Sequence, residues 1–199
     1  TLLRHQKEIS DKSLANIAEQ LNRFCIAHFC LAKLAGGSAE RLFAKLAWKL
    51  DHAFVTGKKG DKNRAVDNTL KLLAEAWPEK SAVELGLKEL EYEKTPKARS
   101  TIRAVLATYE MNLSSNSAIG FDWKNVNIEH VQPLKPEDNE VQEEFREHVN
   151  KLGNLVLWNE SDNKSAGNDS PLDKKVLLDK SSLIHTRDVA DLIEKSGGW

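Results

Sequence analysis

Two short apolar segments, at residues 126–128 and 155–158, limit the architecture of this chain more than any other part of its sequence. Each has the length and composition of a β-strand, whereas the apolar residues before them recur at the three- and four-residue steps of an amphipathic helix. Two short strands can form no more than a small sheet, which must pack against helices to be stable. The sequence therefore predicts a mainly α-helical protein with one small two-stranded sheet.

The helical part of this prediction comes from apolar periodicity over the first 113 residues. Thr95 followed by Pro96 is a typical start of a helix, because threonine caps the first amide groups and proline fits the first turn. Gly36 and Gly37 are predicted to end the first helix, and Ser38 is predicted to cap the second. The predicted helices cover residues 11–34, 38–54, 62–76, 78–90 with a break near Gly86, and 95–113.

The polar segment at residues 114–120 is the clearest boundary in the chain. It divides the sequence into a predicted helical lobe, residues 1–113, and a second domain, residues 114–199. A basic segment at residues 57–62 is interpreted as a solvated turn, with a phosphate-contacting loop as the alternative. Further helices are predicted in the second domain at residues 136–151, from residue 161, at residues 172–179 and, capped by Thr186, at residues 187–195.

A carboxylate and a histidine, Glu129 and His130, stand where the first predicted strand ends. An imidazole titrates near neutral pH and can take a proton from water. Carboxylate and amide oxygens are hard ligands that suit Mg²⁺, and several asparagines follow the second predicted strand. A base close to hard metal ligands suits the hydrolysis of a phosphodiester.

The segment at residues 126–175 resembles the HNH nucleases, also called His-Me finger or ββα-metal nucleases. It is most similar to the C-terminal nuclease domain of GmrSD-type restriction enzymes, which attack modified DNA. The shared pattern is Glu-His-x-x-Pro, a variable insert, Gly-Asn-Leu-x-Leu, two further asparagines and a lysine. The matching residues are Glu129, His130, Pro133, Gly153, Asn154, Leu155, Leu157, Asn163, Asn168 and Lys175.

The resemblance implies a ββα-metal core in the second domain and a role for each matched residue. His130 would be the general base, and Asn154 would hold the histidine-bearing loop through amide hydrogen bonds. Asn163 would complete the catalytic group and, together with Glu129, would bind one Mg²⁺ or Mn²⁺ ion per site. The residues expected to contact DNA are Asn168 and Lys175, with Lys164 and Lys174 as weaker candidates.

Each of these residues also has an ordinary structural interpretation. A histidine can serve packing alone, and a carboxylate at a strand end can be an exposed charge. Asn154 follows Gly153, which suits a turn, and an asparagine such as Asn163 suits a helix cap. Lysines are usually on the surface without a specific partner. Side chains also alternate along a strand, so Glu129 and His130 cannot both face one point unless the strand ends there.

The function implied by the resemblance is metal-dependent cleavage or nicking of DNA within a restriction or anti-phage defence protein. The partner would be modified or phage DNA. A noncatalytic module that keeps the ββα shell and only docks DNA or a partner domain is the main alternative. A ribonuclease with the same chemistry is the third hypothesis.

Composition is compatible with these hypotheses and argues against a membrane-spanning protein. The formal net charge is −1, with +4 on residues 1–97 and −5 on residues 98–199, which does not favour a strong autonomous DNA binder. The chain has no apolar run long enough to span a membrane, and it has no signal peptide. Cys25 and Cys30 are interpreted as free thiols in a reducing cytoplasm, and no structural zinc is expected. Because the chain begins at Thr1 rather than Met, an upstream domain is expected, and the resemblance implies that this domain uses nucleotides.

Overall fold

The computed structural model describes residues 1–114, 126–135, 145–159 and 167–196. The chain folds as two compact units, Thr1–Leu87 and Lys88–Trp199. The predicted boundary at residues 114–120 lies mostly outside the described residues, and the division between the units comes before the last predicted helix of the lobe rather than after it. No described helix is both long enough and apolar enough to span a membrane.

The first unit consists of helices connected by short turns. Its buried residues form two apolar clusters, one around Ile17, Leu50 and Phe54 and the other around Phe24 and Leu73. The helices are α1 (Asp11–Cys25), which continues as a π-helical segment (Ile26–Leu31), α2 (Gly36–Thr56), α3 (Lys59–Glu75) and α4 (Lys80–Lys88).

Gly36 and Gly86, in the first unit, do not have the structural roles that were predicted from the sequence. Gly36 begins α2 instead of ending the preceding helix, so Ala35 and not Ser38 occupies the cap position. Helix α4 continues through Gly86, where a Cβ atom would lie 2.2 Å from the carbonyl oxygen of Leu31. Gly86 therefore permits a close approach of two backbones, and does not break the helix.

The basic segment at residues 57–62 is mostly helical. It forms the start of α3, where the Asp61 carboxylate accepts a hydrogen bond from the backbone N–H of Lys58 at 3.1 Å. The interpretation as a solvated turn was therefore wrong about the backbone, because a cap formed by Asp61 stabilises the first turn of the helix.

In its described residues the second unit combines helices with one antiparallel strand pair, which confirms the predicted fold class. Strand β1 pairs with β2 in a register that places Val126 opposite Asn159 and His130 opposite Leu155. The elements in chain order are α5 (Pro96–Leu113), β1 (Val126–His130), a 3₁₀ turn (Leu152–Asn154), β2 (Leu155–Asn159), α6 (Pro171–Leu178) and α7 (Ile184–Ser196).

The sheet is covered by helices on both faces. Leu155 and Leu157 of β2 pack with Ile102 and Leu106 of α5, because successive side chains of a strand point to opposite faces. The alternate residues Val156 and Trp158 pack with Leu178 of α6 and Ile193 of α7. Helix α5 therefore belongs to the second unit, which explains why the units divide before it.

Helix α7 is capped by a residue distant in sequence. The carboxylate of Glu110 in α5 is 1% exposed and accepts hydrogen bonds from the backbone N–H groups of Ile184 at 2.7 Å and His185 at 2.9 Å. The predicted cap, Thr186, instead donates its hydroxyl to the carbonyl oxygen of Leu157 at 2.6 Å. The prediction that Thr186 caps this helix was therefore wrong.

Two other helical predictions lie largely outside the described residues. Of the helix predicted at residues 136–151, residues 136–144 are not described, and residues 146–150 form turns rather than a helix. Most of the predicted short helix from residue 161 is also outside. Thr95 does cap α5, since its hydroxyl accepts a hydrogen bond from the backbone N–H of Ala98 at 3.2 Å.

Candidate active site

Glu129 and His130 leave the end of β1 on opposite faces of the sheet. His130 is paired with Leu155, which faces α5, whereas Glu129 is paired with Val156, which faces α6 and α7. Within the strand the carboxylate and the imidazole therefore do not converge on one point. The alternation of side chains along a strand, which prevents two neighbours from facing one point, therefore applies to Glu129 and His130.

The imidazole of His130 is held on the face that packs with α5. Its Nε2 atom lies 3.3 Å from Oδ1 of Asn150, and the ring of Tyr92 meets it edge-on with centroids 4.8 Å apart. Tyr92 is tied to the same region, because its backbone N–H donates to the carbonyl oxygen of Asn150 at 2.7 Å. Residue His130 as a whole is 8% exposed, so these contacts hold its imidazole in a mostly enclosed position.

The hydrogen bond to Asn150 selects one form of the imidazole. With Oδ1 of Asn150 as the acceptor, Nε2 is the donor, and in the neutral ring Nδ1 then keeps its lone pair. Burial lowers the pKa of His130 below its usual value, while the hydrogen bond to Asn150 and the charge of Glu129 act in the opposite direction. The Lys174 charge adds to the lowering. The lowered pKa favours the neutral ring, which is the form that can accept a proton.

Asn154 connects the loop after His130 to the 3₁₀ turn before β2. Its side chain is buried, and its Oδ1 accepts the backbone N–H of Gln132 at 2.8 Å. Its Nδ2 donates to the carbonyl oxygens of Gln132 at 3.0 Å and Val149 at 2.8 Å. Its own carbonyl oxygen accepts the N–H of Val131 at 2.9 Å. These bonds fix the backbone directly after His130, so the residue has the contacts that a supporting role requires.

Glu129 forms an ion pair with a lysine of α6. The Nζ atom of Lys174 lies 2.7 Å from Glu129 Oε1 and 2.9 Å from the carbonyl oxygen of His130. The side chain of Lys174 is fully buried, and that of Glu129 is 16% exposed. The expectation that Lys174 contacts DNA is therefore wrong, because its ammonium group does not reach the surface.

Glu129 still fits as a ligand for a hard divalent cation. A carboxylate has two oxygens, and Lys174 bonds to Oε1, so the group can offer further lone pairs. Asn163, the other predicted ligand, lies outside the described residues, as does Lys164. Within the part of the chain that the structure describes, no group of three or more His, Cys, Asp or Glu side chains could hold a metal. A metal here would therefore need amide, backbone or water oxygens in addition to Glu129.

The two remaining predicted DNA contacts lie on or near α6. Asn168 is exposed and follows Gly167, whose φ of 52° gives the backbone a left-handed bend. Lys175 is 22% exposed and forms ion pairs with Asp179 at 2.7 Å and Glu194 at 3.2 Å, which raise its pKa. Asn168 is thus accessible, whereas the charge of Lys175 is already offset by two carboxylates.

Sequence reasoning missed two residues that contact the proposed site, Tyr92 and Asn150, and it gave Lys174 a different role from the one its contacts indicate. Tyr92 and Asn150 stand outside any motif, and no local pattern distinguishes them. Lys174 carried a usable signal, because it stands three residues after Pro171 and four before Leu178, both of which are buried. This spacing places Lys174 on the inner face of α6 and Lys175 off that face.

Fold and site together define a class of protein: a mainly helical domain whose small antiparallel sheet ends in a buried, hydrogen-bonded imidazole, with a carboxylate on the opposite face of the same strand end. A family model for the C-terminal domain of GmrSD restriction endonucleases matches residues 77–199, and the chain belongs to this family. Membership gives the chain a role related to restriction endonucleases. No curated protein matches the sequence.

Proposed function

We propose that the second unit is a metal-dependent DNA endonuclease of the HNH type. The observation that carries this proposal is the state of His130, whose neutral imidazole is fixed by Asn150 and whose loop is held by Asn154. Membership of a restriction endonuclease family supplies the substrate class. We further propose that modified or phage DNA is the target and that an upstream nucleotide-using domain selects it.

In this mechanism Nδ1 of His130 accepts a proton from the attacking water. Because Nε2 donates to Asn150, the positive charge that forms on the ring is stabilised by an amide oxygen. The water oxygen then bonds to phosphorus while the bond to the 3′ oxygen breaks, and the leaving oxygen takes a proton from solvent. Glu129 and Asn163 would hold one Mg²⁺ or Mn²⁺, which when bound supplies charge stabilisation at the phosphate and leaving oxygen.

Removal of divalent cations tests this proposal directly. Purified protein is expected to convert supercoiled plasmid to nicked circle with Mg²⁺ or Mn²⁺, and to lose this activity in excess chelator, because a phosphoryl transition state needs its charge neutralised. The products should carry 5′-phosphate and 3′-hydroxyl ends. Equal cleavage with and without chelator would refute the metal requirement. A parallel reaction on structured RNA separates a deoxyribonuclease from a ribonuclease.

The ion pair between Glu129 and Lys174 favours a second candidate, a noncatalytic module that docks DNA or a partner. A carboxylate that is already neutralised by a buried ammonium group has less need of a metal. This candidate predicts no heat of Mn²⁺ binding by calorimetry and no nicking under any metal condition. Binding of Mn²⁺ that is weakened by Glu129→Gln would instead support the endonuclease.

A further inference from the structure

A single lysine, Lys174, contacts both Glu129, the proposed metal ligand, and His130, the proposed base. Lys174 reaches from α6 to the end of β1, where its ammonium group contacts the side chain of Glu129 and the main chain of His130. An ammonium group has three donors, and these two contacts are at 2.7 and 2.9 Å. The same group thus bridges the two faces of the strand end on which the proposed ligand and the proposed base stand.

The local sequence explains why this lysine points inward. Ser170 caps α6 by accepting the N–H of Asp173, and Pro171 stands in the first turn, so the register of the helix is fixed at its start. Pro171, Lys174 and Leu178 then share the buried face, and the Lys174 side chain is 0% exposed. A lysine is rarely buried to this extent unless it is paired.

We propose that Lys174 is a positioning residue for the reaction proposed above. Its ammonium group orients the Glu129 carboxylate and holds the carbonyl oxygen of His130, so that the strand end carrying the imidazole is kept in place. This inference rests on the proposed function for its catalytic consequence. It assigns no contact with DNA to Lys174, because the side chain is enclosed.

Plasmid nicking kinetics of three variants test the proposal. Lys174→Met removes the charge and is expected to lower kcat by about 10- to 100-fold with little change in KM, as is typical when a group that orients a reacting residue is lost. Lys174→Arg keeps the charge and is expected to recover part of that loss. Lys180→Met, a change at an exposed lysine two residues after the end of α6, serves as the matched control and is expected to behave as the native protein.

Other outcomes would overturn the assignment. A native kcat in Lys174→Met would show that the ammonium group positions nothing. A rise in KM with unchanged kcat, in Lys174→Met or in Lys174→Arg, would show that the lysine contacts DNA directly. If Lys174→Met does not fold, Lys174→Arg carries the test, with kcat expected to stay within about tenfold of native because its charge is retained.

A double-mutant cycle separates failure of this inference from failure of the proposed function. The unfolding equilibria of Glu129→Gln, Lys174→Met and the double variant are compared by urea denaturation, which needs no activity. A coupling of about tenfold or more is expected for residues in one ion-pair network. Additive effects would overturn the pairing. Strong coupling in a protein that cleaves no nucleic acid would instead leave the pairing intact and refute the endonuclease.

Discussion

Replacement of His130 by alanine is expected to lower the rate of plasmid nicking by about two to four orders of magnitude, which is the usual contribution of a positioned general base. Alanine cannot accept the proton of the attacking water. Among the described side chains, that of His130 is the one that has a nitrogen lone pair and also donates a hydrogen bond to Asn150. Initial rates at saturating Mg²⁺ give this comparison. His148→Ala, which changes an exposed histidine of the same unit, is the matched control and should retain native activity.

The loss must be separated from unfolding, because His130 is largely buried. His130→Gln keeps a polar side chain of similar size and should preserve the fold while losing activity to the same extent as His130→Ala. Circular dichroism of both variants checks this point. A folded His130→Gln variant with native cleavage would exclude His130 as the base, since glutamine cannot take up a proton at neutral pH.

The second large effect is expected in stability. Asn154→Ala should reduce the free energy of unfolding of the second unit by about 3 kcal/mol, because it leaves the N–H and C=O of Gln132 and the C=O of Val149 without their side-chain partner. Hydrogen exchange of the amides that link β1 and β2 measures this change. The protection should fall as the strand end opens more often.

Asn168→Ala provides the comparison for Asn154→Ala, because Asn168 is exposed and a surface substitution usually changes stability by less than about 0.5 kcal/mol. If Asn154→Ala were as stable as Asn168→Ala, the hydrogen bonds of Asn154 would not hold the loop after His130. The supporting role assigned to Asn154 would then have to be abandoned.

Features with a local cause could be predicted from the sequence. The two strands were evident because each is a short apolar run, and the start of α5 was evident because Thr95 and Pro96 form a complete local signal. The segment that carries the proposed site was found for the same reason, since its motif is contiguous. These predictions needed no knowledge of what packs against what.

Features that depend on distant residues could not be predicted. Glu110 caps a helix that begins at Ile184, and the ring of Tyr92 packs edge-on against that of His130. Neither contact leaves a periodic trace in the sequence. The burial of Lys174 has the same origin, because its partner Glu129 belongs to a different element. The positions of these side chains thus depend on pairing between groups of different elements, which the periodicity of the sequence does not show.

The central claim is that the neutral imidazole of His130 takes a proton from the nucleophile, and the pH dependence of nicking tests it most directly. Burial lowers the pKa of His130, so the ring loses its proton below the usual value of 6.5. The rate should therefore rise with pH through an apparent pKa below 6.5 and be constant at neutral pH, and this rise should disappear in the residual activity of His130→Gln. A rate that does not change between about pH 4.5 and 8, or an identical rise in His130→Gln, would contradict the claim.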